Sequence, residues 1–224
     1  MLNQASFDGV TSVFRPQQYL ARQGEEQERI LLLTEGWAYR FHLLSDGRRQ
    51  ITALFVPGDW CELGWMQGEP ADQPVIALTN VRATAVPCWL ILRKCERQRE
   101  VCSAFWSKMV AQIRRQTDWI VTLGCRSAIE RLSHLFCELH LRLGASGLAF
   151  GEQFAMPLTQ IDIADITGLT TVHVNRTLRE MRLRGLVELQ SKWLRIHNLA
   201  ELRQTALFEL SPRRCSMPRT RGCE

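Results

Sequence analysis

The chain has 224 residues, 46% of them hydrophobic, enough for one large domain or two small ones with a buried core. No apolar run approaches the ~18 residues of a membrane span, and the N-terminus MLNQASFDGV has neither a basic n-region nor an apolar h-region, so no membrane segment or secretory signal is expected and the cytoplasm is the expected location. The net charge of +5 is uneven: residues 1–100 hold 11 Lys and Arg against 12 Asp and Glu, residues 101–224 hold 17 against 11, and that basic half favours a polyanionic partner.

The first elements are punctuated by Gly24, Gly36, Gly47 and Gly58, spaced 11–12 residues apart. Between them lie the β-prone runs Ile30–Thr34, Trp37–Leu44 and Gln50–Val56, with turns at Ser45-Asp46-Gly47 and Pro57-Gly58-Asp59. Further strands are predicted at Val75–Thr79, Arg82–Val86 and Trp89–Leu92. Short, evenly spaced strands give an antiparallel, jelly-roll-like β-roll over residues 1–94.

After Arg93 the period changes. Cys95 to Leu123 contains no Pro and no Gly, and Trp106, Met109, Ile113, Gln116, Ile120 and Leu123 recur at alternating steps of 3 and 4. This predicts a long helix over 95–124 whose seam joins two copies of the chain, with Lys108, Arg114, Arg115 and Asp118 opposite. Gln116 in the seam sets register. Gly124 is expected to end this helix, and a second runs from about Ser127 to Leu143, with Ile129, Leu132, Leu135, Phe136, Leu139 and Leu143 inward. Leu148–Met156 reads as a connector.

The most informative stretch is Pro157 to Asn198. Thr159 is placed to cap a helix Gln160–Thr167, with Ile163, Ala164 and Ile166 inward. Ala164 keeps the crossing with the next helix close. Gly168 supplies a left-handed turn, Leu169 plugs it, and Thr170 caps a helix Thr171–Arg184 striped by Val174, Leu178 and Met181. The opposite face holds Thr171, His173, Asn175, Arg176, Arg179 and Arg182: short polar groups first, then cations, the order that suits a helix entering the major groove. Leu186–Leu189, a turn at Gln190-Ser191-Lys192, and Trp193–His197 predict a hairpin wing, with Lys192 toward phosphate. Residues 125–200 therefore read as a winged helix-turn-helix, and 201–224 as a terminal helix and a basic, disordered tail. The overall class is α+β.

This order of β-roll, long helix and winged helix-turn-helix resembles the Crp/Fnr superfamily of bacterial regulators over about residues 10–200. The resemblance rests on Thr159-Gln160-x-Asp162-Ile163-Ala164, Gly168-Leu169-Thr170, Val174-Asn175-Arg176-Thr177-Leu178 and Arg126-Ser127-Ala128-x-Glu130-Arg131-Leu132, with Gly47, Pro57-Gly58-Asp59 and Glu62-Leu63-Gly64 in the roll. It implies a sequence-specific, homodimeric DNA-binding transcriptional regulator that could also touch RNA polymerase. It implies that Arg176 reads a G·C pair and that Thr159, Thr170 and His173 meet phosphate. The expected DNA-contacting set is Thr159, Gln160, Thr170, Thr171, Val172, His173, Asn175, Arg176, Arg179 and Lys192. Many relatives carry glutamate where Val172 stands, and valine suits a thymine methyl rather than cytosine N4.

The effector is less legible. Relatives that bind cyclic AMP hold its phosphate with an Arg-Ser pair; here Ala71-Asp72 aligns with that pair, and a carboxylate repels phosphate. An unidentified small effector near Glu62, Leu63, Gly64 and Asp72 is the expectation, with no cofactor. Oxygen-sensing relatives use N-terminal cysteines, and none precedes Cys61. Haem ligation by His42 or Cys61, or a metal on His134-x-x-Cys137-x-x-His140, is less expected than ordinary packing, so no metal site is assigned. The eight cysteines include no CxxC pair and read mostly as buried free thiols, Cys61 being the most plausible redox-responsive one. No P-loop, GxSxG or HExxH motif supports an enzyme, and residues 1–100 contain one histidine, too few for a cupin-like metal site. Alternative readings are a redox- or metal-responsive regulator of the same fold and an adaptor that has lost DNA contact.

Overall fold

The computed structural model describes residues 9–208. The expected tail Ser211–Glu224, with Cys215 and Cys223, lies outside the described residues. Eight strands build the N-terminal roll: β1 (Val10–Phe14), β2 (Tyr19–Ala21), β3 (Arg29–Glu35), β4 (Ala38–Leu43), β5 (Arg49–Phe55), β6 (Trp60–Cys61), β7 (Val75–Ala77) and β8 (Val81–Pro87). They form two antiparallel four-stranded sheets, ordered β1-β8-β3-β6 and β2-β7-β4-β5. Alternation along the second sheet explains its double burial. Ala38, Phe55, Val75 and Ala77 turn toward the first sheet, whereas Tyr39, Phe41, Ile51 and Ile76 turn toward the helices and share one core with Leu135, Leu139, Met156 and Ile163.

Trp89–Leu92 is not a strand. It belongs to helix α1 (Cys88–Arg97), which begins directly after Pro87. Cys88 and Ile91 are buried while Trp89 and Leu92 are exposed. That is a helical spacing rather than an alternation, and the proline's φ of −58° preorganises the entry. The long helix is also not continuous from Cys95. Gln98 is extended (φ −135°, ψ 101°) and separates α1 from α2 (Arg99–Cys125), so the predicted boundary at 94/95 falls inside α1. Gly124 lies within α2, which ends at Cys125 with Arg126 as its extended cap.

Helix α3 (Ala128–Ala145) follows, its start fixed by Glu130 accepting the Ser127 N–H at 2.7 Å. The connector Leu148–Met156 contains two strands missed in the sequence, β9 (Ala149–Phe150) and β10 (Gln153–Ala155). They complete a third antiparallel sheet, β11-β12-β10-β9, with the wing strands β11 (Val187–Gln190) and β12 (Trp193–Ile196). Helices α4 (Gln160–Thr167) and α5 (Thr171–Leu183) precede the wing, and α6 (Leu199–Thr205) closes the described chain.

The roll is bolted to the C-terminal unit. Arg142 on α3 donates to Glu138 (2.7 Å), to Asp59 of the roll and to the Leu54 carbonyl (2.6 Å). Arg49 on β5 donates to Asp165 (2.7 Å) and Asp162 (3.0 Å) of α4 and to the Tyr39 hydroxyl (2.9 Å). Ser146 donates to the Pro57 carbonyl at 2.7 Å.

Candidate nucleic-acid interface

Local chemistry sets the two helices of the motif. The Thr159 side chain accepts the Asp162 N–H (3.1 Å) while Asp162 accepts the Thr159 N–H (2.9 Å), a reciprocal cap that satisfies two otherwise orphaned donors of α4. Thr159 also donates its hydroxyl to Asp162 at 2.6 Å, so the donor expected to meet phosphate is used inside the cap. Gly168 ends α4 at φ 64°, ψ 33°. A Cβ there would meet Leu123 and Arg131 as well as the steric penalty of the left-handed region. Thr170 then accepts the His173 N–H at 3.2 Å and is itself exposed.

Beneath α5 the stripe is dry. Val174 and Met181 are fully buried on Ile163, Leu186 and Leu194, and Leu178 is half-buried. Above it, Thr171, Val172, His173, Asn175, Arg176, Arg179 and Arg182 are exposed. Gln160 joins Thr171, Val172, Asn175, Arg176 and Arg179 around an open hollow, and the Asn175 amide donates to the Gln160 carbonyl oxygen at 3.3 Å, coupling the two helices across it. Among the described residues, no ion pair engages Arg176, Arg179 or Arg182. Arg184 differs, pairing with Glu180. The wing turns at Ser191 (φ 50°) and Lys192 (φ 62°), both left-handed, as a two-residue hairpin requires, and this leaves Lys192 exposed. Of the ten expected DNA-contacting residues, Gln160, Thr171, Val172, Asn175, Arg176 and Arg179 gather around this hollow, Thr170, His173 and Lys192 are exposed, and Thr159 is exposed with its hydroxyl engaged.

Two arginines of the Arg126–Leu132 segment brace this unit, Arg131 within it and Arg126 toward α2. Arg131 donates to the Thr167 carbonyl at the C-terminus of α4 (3.0 Å), where a cation suits the helix dipole. Arg126 donates to Thr122 (2.6 Å) and to the Ala206 carbonyl (3.1 Å).

Residues 130–205 match the model of the Crp-like helix-turn-helix domain, and residues 11–97 match that of the cyclic nucleotide-binding domain. The chain belongs to the Crp/Fnr family of DNA-binding transcriptional regulators. This Crp/Fnr regulator is 27% identical over 183 residues to the nitrogen fixation regulation protein FixK of Azorhizobium caulinodans, covering 82% of this chain and 73% of that one. It is 26% identical to FixK of Rhizobium meliloti, covering 81% and 79%. The solved structure of FixK2 from Bradyrhizobium japonicum superposes with a TM-score of 0.80 at 24% identity, covering 89% of this chain and 98% of that one.

The N-terminal roll departs from the expected ligand set. Glu62 is buried, in a left-handed conformation (φ 44°), and its carboxylate accepts from Arg40 at 2.8 Å. Arg40 was not anticipated: it sits in a strand buried on both faces and opposite a bulge, donating to Thr52 at 3.1 Å, while Thr52 donates to Gln73 at 2.6 Å. Burial pushes the Glu62 carboxyl up, Arg40 pulls it down and Asp72 pushes it up again. Leu63 is buried, whereas Gly64 and Asp72 are exposed. None of Glu62, Leu63, Gly64 and Asp72 lines a cavity of about 330 Å³ that lies instead among β5, α2, α3 and α4, with Arg40, Thr52, Gln73, Gln116, Trp119 and Glu138 among its walls.

The other candidate groups also find places. Cys61 is fully buried and its thiol is pushed well up by burial, then by Glu62 and Asp59, which argues against the redox role expected for it. His134 and Cys137 are buried, His140 contacts the Gly151 carbonyl, and among the described residues no three His, Cys, Asp or Glu side chains gather to hold a metal ion. No described helix is long and apolar enough to cross a membrane.

The predicted seam of α2 divides. Trp106, Ile113 and Ile120 are 61%, 58% and 71% exposed. Met109 leans on the roll core, and Gln116, Ile120 and Leu123 line the cavity wall, Ile120 reaching both sides. The outward apolar stripe is completed by Val110 and Val121.

Proposed function

We propose that this protein works as a cytoplasmic, non-catalytic homodimer. Two α2 helices meet along Trp106, Val110, Ile113 and Ile120, and the paired α5 helices enter successive major grooves with Arg176 reading a guanine in each half-site. The observation that carries this reading is the split character of α5: one side fully buried, the other a run of short polar groups and unpaired arginines. The exposed apolar face of α2 supports the pairing, since isolated helices rarely leave such a stripe to water.

The cavity between roll and helices supports a small, mostly apolar effector, with Arg40, Gln73 and Glu138 as its polar contacts. Arg40 is committed to Glu62 and Asp72 stands nearby, so a cyclic phosphate is disfavoured. Contact with RNA polymerase, if the protein activates transcription, would be made once it is seated on DNA.

Selection of bound DNA from a random pool, with and without cell extract, tests the whole reading. The expected product is a two-fold symmetric site. Arg176→Ala should weaken binding by roughly 1–3 kcal/mol and relax preference at one base pair per half-site. An adaptor without DNA function would show no salt-sensitive enrichment.

A further inference from the structure

Val172, Asn175, Arg176 and Arg179 fall at i, i+3, i+4 and i+7 of α5 and so share one face of the helix, all four exposed. Thr171 opens that face with a rotatable hydroxyl and Val172, 75% exposed, with two methyls. The first side chain on it able to hold a donor beside an acceptor in one rigid plane is Asn175. Its amide nitrogen donates to the Gln160 carbonyl oxygen at 3.3 Å, and that acceptor stands on the first residue of α4, 15 positions earlier. The reciprocal cap of Thr159 and Asp162 fixes the backbone that carries Gln160. The bond uses one of the two N–H groups of the Asn175 amide and turns its nitrogen toward α4. The second N–H and the carbonyl oxygen remain, and among the described residues no group bonds to either.

We propose that Asn175, held in plane by Gln160, reads an adenine in the base pair next to the guanine read by Arg176. This assignment rests on the proposed seating of α5 in the major groove. In that groove adenine shows its N7 acceptor beside the N6 amino donor, whereas guanine shows two acceptors, cytosine a donor, and thymine an acceptor and a methyl. The remaining N–H of Asn175 matches N7 and its carbonyl oxygen matches the N6 amino group, a two-bond fit that no other base completes. Gln160 acts through Asn175 and is a positioning residue. By accepting one N–H it holds the amide against a flip, which would set oxygen against oxygen. Asn175 and Arg176 are consecutive, about 1.5 Å apart along the helix axis, less than the roughly 3.4 Å between stacked base pairs, so the two side chains reach the same or neighbouring steps and can take one base pair each.

The test uses the full-length protein and the duplexes that wild type selects from a random pool. An adenine should stand beside the Arg176-dependent guanine in each half-site. Exchanging that A·T pair for any other should lower wild-type affinity about ten-fold or more. Replacing the adenine by 7-deazaadenine, which lacks only the N7 acceptor, should lower it several-fold. Asn175→Ala should bind all of these duplexes alike. Gln160→Ala should narrow the discrimination at this pair, and Gln160→Glu, which keeps an acceptor, should restore the discrimination while its charge weakens binding to every duplex. A Gln160 that only touched the DNA backbone would change affinity uniformly and leave the preference intact, and that result overturns its positioning role. The inference is overturned if no adenine stands beside the guanine, or if wild type holds 7-deazaadenine as tightly as adenine. Arg176→Ala tells the two readings apart. An unchanged guanine preference in that variant removes α5 from the groove and this inference with it, whereas a relaxed guanine preference together with an Asn175→Ala protein that still selects adenine overturns this inference alone.

Discussion

Arg40 and Glu62 are opposite charges walled between two sheets, each with a side chain 10% exposed. A buried pair is a poor source of stability but costly to break, because the survivor is left charged without compensation. Arg40→Ala should therefore cost roughly 3–5 kcal/mol in denaturant unfolding, whereas Arg40→Met with Glu62→Gln should restore most of the loss; a double variant as weak as the single one contradicts this account. His134 makes a second residue-scale prediction. It is stacked edge-on against Trp119, and burial pulls its pKa below the ordinary 6.5, opposed by Glu138 and Asp118 and assisted by Arg126. The unfolded chain thus takes up the proton first. His134's contribution is complete above its ordinary pKa and is lost as pH falls below it. Urea midpoints measured from neutral pH down to about pH 5 should fall more steeply for wild type than for His134→Gln.

At the scale of the element, α2 packs on the chain's own roll and leaves a second apolar face exposed, the one proposed to meet a second copy. Of the expected seam, Trp106, Ile113 and Ile120 are exposed, but Met109 leans on the chain's own roll and Gln116, Ile120 and Leu123 line its cavity. A helix packed on one side and paired on the other carries apolar groups on both, and a 3,4 pattern alone does not separate them. Ile113→Asp should abolish dimerisation in analytical ultracentrifugation while leaving the monomer folded. Leu123→Ala should instead lower the melting temperature and keep the dimer. The motif helices depend on their caps: Thr170→Ala removes the acceptor for the His173 N–H and should cost about 1 kcal/mol, read as a lower midpoint.

The whole molecule is held as one body by polar bolts through a shared apolar core. Arg142 is 12% exposed, and although burial disfavours its charge, Asp59 and Glu138 more than offset this and hold it protonated. Because Asp59 belongs to the roll and Glu138 to α3, Arg142→Ala leaves carboxylates uncompensated on both sides of the junction. Calorimetry of that variant should show the single transition of wild type broadening or splitting into two, and DNA affinity should fall although no DNA-facing residue has changed. Arg49, which fastens α4 through Asp162 and Asp165, acts on the same junction.

Features that act within a few residues were readable in the chain itself. The caps at Thr159 and Thr170, the glycine turn at 168, the wing turn and the split face of α5 are set by neighbours close in sequence, so their chemistry is written locally. Strands bounded by Gly47 and Gly58 were legible for the same reason. Trp89–Leu92 was misread because four apolar-rich residues fit either period, and only burial against the roll chose the helix. Strands β9 and β10 are too short to carry a pattern; β12 offers β10 an edge, and β10 in turn offers one to β9. Arg40 with Glu62, Arg49 with Asp162, and Arg142 with Asp59 depended on folding. Nothing in a linear spacing states which distant segments will face each other, and a charge acquires its role only from the partner that packing brings within reach.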